Sequence, residues 1–272
     1  MSNGLEKLVG GVGKAIEVVP DIYDDGLKPT AQESGKTLAL IPRTINAALV
    51  PLRQWIAERE YKLAETEKLI AQRLADIPPE RIVTPETYVA VPAIQAISYS
   101  MNSEELRNLY ANLLAKSMNI DTKDLVHPSF VEIIKQLSPI DAMVFSLIVQ
   151  TDIKPLIDLR IILDEKEGGG GISKIKNISW ITSFTHNQYS VSIDNLERLK
   201  LIEIINAVYT HDEHYKLVTE TPTYISNRNA LQNSLSGGQT IEDVKKIMEV
   251  SSLGELFYNV CVINNTTSDT IS

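Results

Sequence analysis

The chain has a single cysteine, Cys261, so no intramolecular disulfide can form. The lack of disulfides is typical of a reducing compartment, and the cytoplasm is therefore the expected location. The N-terminal segment MSNGLEKLVGG has no basic region followed by an apolar run, so no signal peptide is expected. No uninterrupted run of about 20 apolar residues occurs either, and a transmembrane helix is not predicted.

Positive charge is also in deficit, with 26 lysines and arginines against 35 aspartates and glutamates. The resulting net charge of −9 argues against tight, non-specific binding of duplex DNA, which requires several cations facing the phosphates. No DNA partner is therefore expected. The 43% of apolar residues is ordinary for a globular protein and argues against global disorder.

Catalytic motifs are missing as well. The sequence contains no HExxH, no paired CxxC, no Walker A pattern and no nucleophile elbow. His211 and His214 would need a third ligand to hold a metal, and solvated turn residues are the simpler interpretation. Cys261 has apolar neighbours and is expected to be a buried, inert thiol. An enzyme is disfavoured, and no catalytic residue, metal site or cofactor is assigned.

The stretch KTLALIPRTINAALVPLRQWI, Lys36 to Ile56, carries most of the functional information. From Ser34 to Ala57 it has three cations and no carboxylate. On a helix that begins at Pro42, the apolar residues form one stripe and the cations lie away from it. Two interpretations stay open: a surface helix that packs on the core, or a helix that reaches an anionic membrane surface. The candidate membrane-interaction residues are Arg43, Ile45, Leu49, Leu52, Arg53, Trp55 and Ile56.

We expect this stretch to be sheltered in the resting protein and to reach a membrane only after activation. An acidic, soluble chain should not leave such an apolar stripe exposed. The expected cover is the segment Gly4 to Val19, a glycine-broken helix that is marginal by propensity.

Further along, the sequence predicts helices that begin at caps. Asn102 with Glu105 fits a capping box, and so does Ser138 with Asp141. The helix after Asn102 carries a broad apolar face, and four of its leucines are expected to be buried. They are Leu106, Leu109, Leu113 and Leu114.

The C-terminal half has the order of a winged helix. A helix is predicted to end near Lys200, and LIEII and HYKLVTE alternate as two strands joined by a polar turn. The predicted fold is mainly α, with an N-terminal helical region followed by a winged-helix-like C-terminal domain that carries a small β-hairpin. The predicted boundaries are 1–80 for the N-terminal helices, 81–137 for a helical core region, 138–263 for the winged-helix-like domain and 264–272 for a disordered tail.

A winged helix raises the alternative of a transcriptional or nucleic-acid-binding regulator, in which Arg198 and Lys200 would contact the nucleic acid. Charge argues against this alternative. Residues 138–217 hold eight Lys or Arg and eleven Asp or Glu, a net charge of −3. A module that binds protein is the preferred interpretation.

The order of these pieces resembles the abortive infection alpha (Abi-alpha) family of bacterial proteins, over roughly Asp21 to Cys261. The resemblance rests on YDDGLKPTAQESGKTLALIPRTINAAL, on PERIVTPETYVAVPAIQAISYSMNSEELRNLYANLLAKSMN and on HPSFVEIIKQLSPIDAMVFSLI. It implies a cytosolic bacterial protein linked to antiphage defence, and it supplies no catalytic residues. The partners expected are a phage protein as trigger, further copies of the chain, and the inner-membrane surface.

Overall fold

The structure is a computed structural model that describes Val50 and residues 63–97, 103–163 and 170–263. All seven candidate membrane-interaction residues, the predicted cover Gly4 to Val19 and the predicted tail 264–272 lie outside the described residues. The hypotheses about them stay predictions, and so do the domain boundaries.

Five α-helices form the first part of the described chain. Short 3-10 turns at Pro79–Arg81 and Lys123–Leu125 lie in two of the connections. The helices are α1 (Leu63–Leu74), α2 (Thr87–Ile97), α3 (Glu104–Ser117), α4 (Ser129–Lys135) and α5 (Pro139–Val149).

Two of these helices begin at a side-chain cap, which satisfies N–H groups that have no partner inside the helix. At α5 the predicted box is confirmed: the Ser138 hydroxyl accepts from the Asp141 N–H, and the Asp141 carboxylate accepts from the Ser138 N–H at 2.7 Å. At α3 the predicted cap Asn102 is wrong. The cap is Ser103, whose hydroxyl accepts from the Leu106 N–H. Serine and asparagine cap about equally well, so an Asn-Ser pair leaves the cap ambiguous in the sequence.

Helix α3 lies at the centre of the helical core. Nine of its fourteen residues are buried. The prediction for its leucines is confirmed, since Leu113 and Leu114 are fully buried and Leu106 and Leu109 are at most 8% exposed. This helix therefore has more buried residues than α2, α4 or α5.

Four strands form one antiparallel sheet. The central strand β1 pairs with β4 along its whole length, from Pro155 opposite Ile247 to Ile162 opposite Thr240. Helix α6 (His186–Arg198) lies between β2 and β3 in the chain. The described chain is thus mainly helical with a small antiparallel sheet. The strands are β1 (Pro155–Ile162), β2 (Gly171–Ile178), β3 (Ile202–Ile205) and β4 (Thr240–Val250), in the order β2-β1-β4-β3.

The predicted hairpin over LIEII and HYKLVTE is wrong in its second half. LIEII contains β3, but HYKLVTE lies in a 3-10 turn and in the short helix α7 (Lys216–Thr219). Its buried residues Tyr215 and Val218 are three positions apart, a helical spacing that so short a window does not separate from alternation. The partner of β3 is β4, and helix α8 (Pro222–Ser234) lies between them in the chain. The winged-helix assignment stays a prediction.

The chain after β4 returns to the helical core. Helix α9 (Ser252–Phe257) continues into a π-helical turn at Tyr258–Val262. The Phe257 ring packs edge-on against Phe130 of α4 at 5.5 Å between centroids, and against Phe145 of α5 at 5.8 Å. Aromatic pairs in this geometry stabilise the fold beyond their area of burial. The C-terminal helix thereby closes the core that the first helices begin.

Asn112 of α3 holds this closure in place. Its Nδ2 donates to the carbonyl oxygen of Cys261 at 2.8 Å and to that of Val262 at 3.3 Å. Its Oδ1 accepts from Nε of Arg73 on α1 at 2.7 Å. One buried carboxamide therefore joins α1, α3 and the C-terminal turn.

Gly254 marks the closest backbone approach in this closure. A Cβ on Gly254 would lie 2.0 Å from the carbonyl oxygen of Leu201 and 2.9 Å from the side chain of Val250. The same Leu201 oxygen accepts from the Ser251 N–H at 3.1 Å, so the two backbones are already tied together. Glycine is required here by space.

We predict that Gly254→Ala lowers the free energy of unfolding by about 2–3 kcal/mol, because the added methyl group must push two tied backbone segments apart. The measurement is a urea denaturation curve. Gly237→Ala is the matched control, since nothing lies within 4 Å of a Cβ at that position. Equal midpoints for the two variants would show that the approach at Gly254 does not constrain the fold.

Candidate interaction site on helix α6

Helix α6 presents one face to the protein and one to solvent. Tyr189, Ile193 and Leu196 are fully buried. Val191 is 66% exposed, more than any other large apolar side chain in the described residues. Four of its exposed side chains recur at spacings of four, three and four residues and form what we call the α6 stripe: Asn187, Val191, Asp194 and Arg198.

A β-bulge in β2 fixes α6 to the sheet. Lys176 and Asn177 together oppose the single residue Asp158, and Asn177 has a φ of 57°, which asparagine tolerates better than most residues. The Asp158 carboxylate accepts from the Asn177 N–H at 2.9 Å, and Asn177 Nδ2 donates to Asp194 at 2.8 Å. His186 Nε2 lies 2.8 Å from the Lys176 carbonyl oxygen. Both ends of the bulge thus contact α6 and set its position.

The carboxylate that holds the bulge is itself part of a buried ion pair. The second oxygen of Asp158 lies 2.8 Å from Lys246 Nζ on β4, and the two side chains are 10% and 11% exposed. Removing one partner would leave the other charge desolvated and uncompensated, which is strongly destabilising. The orientation of α6 therefore depends on a charge pair within the sheet.

Arg198, a residue of the nucleic-acid alternative, is engaged within the protein. Its Nε and Nη2 donate to Asn195 Oδ1, and its Nη1 donates to Gln136 Oε1 at 2.9 Å. Asn195 in turn donates to the Gln136 carbonyl oxygen at 2.9 Å. The guanidinium thus links the end of α6 to the segment between α4 and α5, and these bonds use three of its five N–H groups.

Lys200, the other residue of that alternative, has a backbone role at the end of α6. Its φ is 59°, in the left-handed region. The Leu201 N–H donates to the Leu196 carbonyl at 3.0 Å, and the Lys200 N–H donates to the Glu197 carbonyl at 2.9 Å. These are the two hydrogen bonds of a Schellman motif, in which glycine is the usual residue at the left-handed position.

An open groove of about 470 Å³ lies between the start of α5 and α6. The one carboxylate in its lining, Asp141, accepts from the Ser138 N–H and from Asn195 Nδ2 at 3.0 Å, so its charge is already bonded. Its described lining includes no cation, and the apolar residues Ile140 and Val191 are flanked by amides and hydroxyls. The lining residues are Ser138, Ile140, Asp141, Asn187, Gln188, Val191, Ser192 and Asn195.

The remaining candidates from the sequence lie apart from this groove. His211 precedes the 3-10 turn at Asp212–Tyr215, and its ring centroid is 6.0 Å from that of His214. The described residues contain no group of three or more side chains that could hold a metal. Cys261 is buried as predicted, and burial raises the pKa of its thiol well above the usual value. Among the described helices, none has the length and apolar character that crossing a membrane requires.

Sequence reasoning missed the groove and the bulge. The sequence does contain a signal for Asp158, the carboxylate that bonds to the bulge. Asp158 interrupts the otherwise apolar run Leu156 to Leu159, and a carboxylate in a buried strand requires a partner. The groove had no local signal. Its two sides come from segments about 50 residues apart, and their proximity follows from the packing of α6 on α5.

The comparison with protein families identifies a match. The family model described as abortive infection alpha matches residues 58–261, most of the chain. No curated protein and no solved structure matches the sequence significantly. The chain therefore belongs to the abortive infection alpha family.

The geometry of Lys200 leads to a stability prediction. Lys200→Gly should raise the free energy of unfolding by about 0.5–1 kcal/mol, because glycine adopts the left-handed conformation without the steric cost of a Cβ. Lys200→Ala is the matched control, since it removes the charge and keeps the Cβ. If chemical denaturation gives the two variants the same stability, the gain comes from the charge and the backbone explanation is wrong.

Proposed function

We propose that this member of the abortive infection alpha family is a non-enzymatic defence protein with two working parts. The α6 stripe and the adjacent groove form a protein-binding surface for a trigger or a further copy of the chain. The stretch Lys36 to Ile56 is the effector, which reaches the inner-membrane surface on activation. The observation that carries the defence role is the family match over residues 58–261.

The chemistry of the surface supports a protein partner. The α6 stripe carries one carboxylate, Asp194, and one guanidinium, Arg198, so its formal charge is zero. The groove beside it is lined by the apolar residues Ile140 and Val191 together with amides, which can both donate to and accept from a peptide backbone. Protein interfaces combine such apolar centres with polar rims.

The alternative is a winged-helix regulator that binds nucleic acid through α6. The order of a helix followed by a strand, α6 then β3, supports it. The charges do not, because Asp194 lies on the exposed face that would meet the phosphates, and Arg198 is hydrogen-bonded to Gln136. A mobility-shift titration at several salt concentrations decides between the two. Sequence-selective, sub-micromolar binding that Arg198→Ala weakens would favour the regulator.

The membrane part of the proposal rests on the sequence of Lys36 to Ile56. Each cation near an anionic surface contributes roughly 1 kcal/mol, which is too little for three cations alone. The apolar stripe that includes Leu49 must therefore supply the rest of the affinity. In this account the protein is cytoplasmic at rest and becomes peripheral to the inner membrane during infection.

We predict that bacteria expressing the chain take up a membrane-impermeant dye soon after phage infection and release fewer phage. Leu49→Glu should abolish both effects, because a carboxylate in the apolar stripe opposes insertion at an anionic surface. The measurements are dye fluorescence and phage yield per infected cell, at matched protein levels.

Leu125→Glu is the control for this experiment, since Leu125 is 48% exposed and lies in the 3-10 turn Lys123–Leu125, outside both proposed working parts. It should behave as the unchanged protein does. Protection by Leu49→Glu, or protection by the unchanged protein without dye entry, would contradict the membrane part and leave the defence role standing.

A further inference from the structure

The segment between β3 and β4, residues 206–239, is held to the sheet by four buried side chains and by the partly buried Tyr209 and Leu231. Helix α8 has thirteen residues, of which only Tyr224 is buried. Helix α3, in contrast, buries nine of fourteen. From Asn206 to Gln239 the buried residues are Tyr215, Val218, Thr221 and Tyr224, at intervals of three. We call this segment the α7–α8 insert.

The polar contacts of the insert are directed mainly at β4. Asp243 accepts hydrogen bonds from the Tyr224 hydroxyl and from Arg228. The Tyr215 hydroxyl donates to the Lys246 carbonyl oxygen at 3.2 Å. These contacts hold the insert against one face of the sheet, and they are separate from the hydrogen bonds that pair the strands.

Desolvation and the hydrogen bond to Asp243 raise the pKa of Tyr224 to about 12. The hydroxyl therefore keeps its proton at neutral pH and remains a donor to Asp243.

Both ends of the insert are exposed. Residues 206–208 have exposed side chains, with Val208 at 61%. At the other end, a Cβ on Gly237 would meet nothing within 4 Å, and Gly238 has a φ of 82°. Neither end takes part in strand pairing, because β3 ends at Ile205 and β4 begins at Thr240. Rotation at these ends would break no hydrogen bond of the sheet.

Beneath the insert lies an apolar sheet face. Ile157 and Leu159 of β1 and Ile178 of β2 are fully buried and pack in one cluster with Tyr215, Val218 and Tyr224 of the insert. With the insert displaced, these three aliphatic side chains would face solvent. A contiguous exposed apolar surface of this kind is a feature of interaction sites.

We propose that the α7–α8 insert is a cover that opens as one unit about its two exposed ends while the four-stranded sheet stays paired. Opening uncovers the apolar face formed by Ile157, Leu159 and Ile178. This conformational device is independent of the α6 stripe and of the membrane stretch. Local opening of this kind is expected where few buried apolar contacts hold a segment.

Hydrogen exchange of the full-length protein, followed by mass spectrometry at increasing urea below the unfolding transition, tests the proposal. Peptides from α7 and α8 should exchange at least tenfold faster than peptides from β1 and α3. They should also share one urea dependence, smaller than that of global unfolding. Asp243→Asn should accelerate exchange in both helices at least fivefold, because it weakens the contacts with Tyr224 and Arg228.

Glu242→Gln is the matched control. Glu242 is the neighbouring residue of β4, and its carboxylate lies 3.5 Å from Arg160 of β1, outside the insert. This variant should leave exchange in α7 and α8 unchanged. If Asp243→Asn impairs folding, Tyr224→Phe removes the hydroxyl that donates to Asp243, keeps the ring and should also accelerate exchange in both helices.

Two results would overturn the proposal. In the first, peptides of α7, α8 and α3 exchange together with the urea dependence of global unfolding, so the insert never opens alone. In the second, exchange within α7 and α8 is fast but independent of urea and differs between the two helices. That result would mean that the two helices fray separately and that the insert does not open as one unit.

Discussion

The fold depends on the return of the C-terminal segment to the helical core, and the side chain of Asn112 fixes that return. Its carboxamide donates to two backbone carbonyls of the π-helical turn and accepts from Arg73 of α1. Asn112 is 3% exposed, so water does not replace a hydrogen bond that its carboxamide fails to make. A missing bond there would cost the full desolvation penalty of the unpaired group. The turn directly follows Phe257, whose ring packs on Phe130 and Phe145. In the chain, the sheet lies between the early helices and this turn. The segments that precede and follow the sheet are thereby both anchored in the helical core.

The surfaces available for function follow from this arrangement. The bulge at Asn177 and the ion pair between Asp158 and Lys246 position α6, so that its exposed face adjoins the start of α5. That face has no net charge, which favours the proposed protein partner over a nucleic acid. The opposite face of the sheet is covered by the α7–α8 insert, which has four buried residues between Asn206 and Gln239. A fixed helix on one face and a lightly held cover on the other suit a protein that responds to a trigger.

The sequence could predict the elements whose signals are local. The box of Ser138 and Asp141, the buried leucines of α3 and the end of α6 near Lys200 each depend on residues within one or two helical turns. The hairpin failed because its second strand had only a short apolar alternation, and contacts of Tyr215 with distant strands decided in favour of a helical turn. The groove and the bulge were out of reach for a related reason. Asn195 bonds to Gln136, and Asn177 bonds to Asp158. The partners are too far apart in the chain for a periodic sequence pattern to predict these contacts.

The most direct measurement is the stability of Asn112→Ala compared with Asn108→Ala, by chemical denaturation of the full chain. Asn108 lies one turn earlier on α3 and bonds the same Arg73 at 3.2 Å. The account predicts a loss of about 2–4 kcal/mol for Asn112→Ala, because two carbonyls and a guanidinium N–H lose their partner in a buried place, and less than about 1 kcal/mol for Asn108→Ala. Equal losses for the two variants would mean that Asn112 does not hold the C-terminal turn, and the central claim would be wrong.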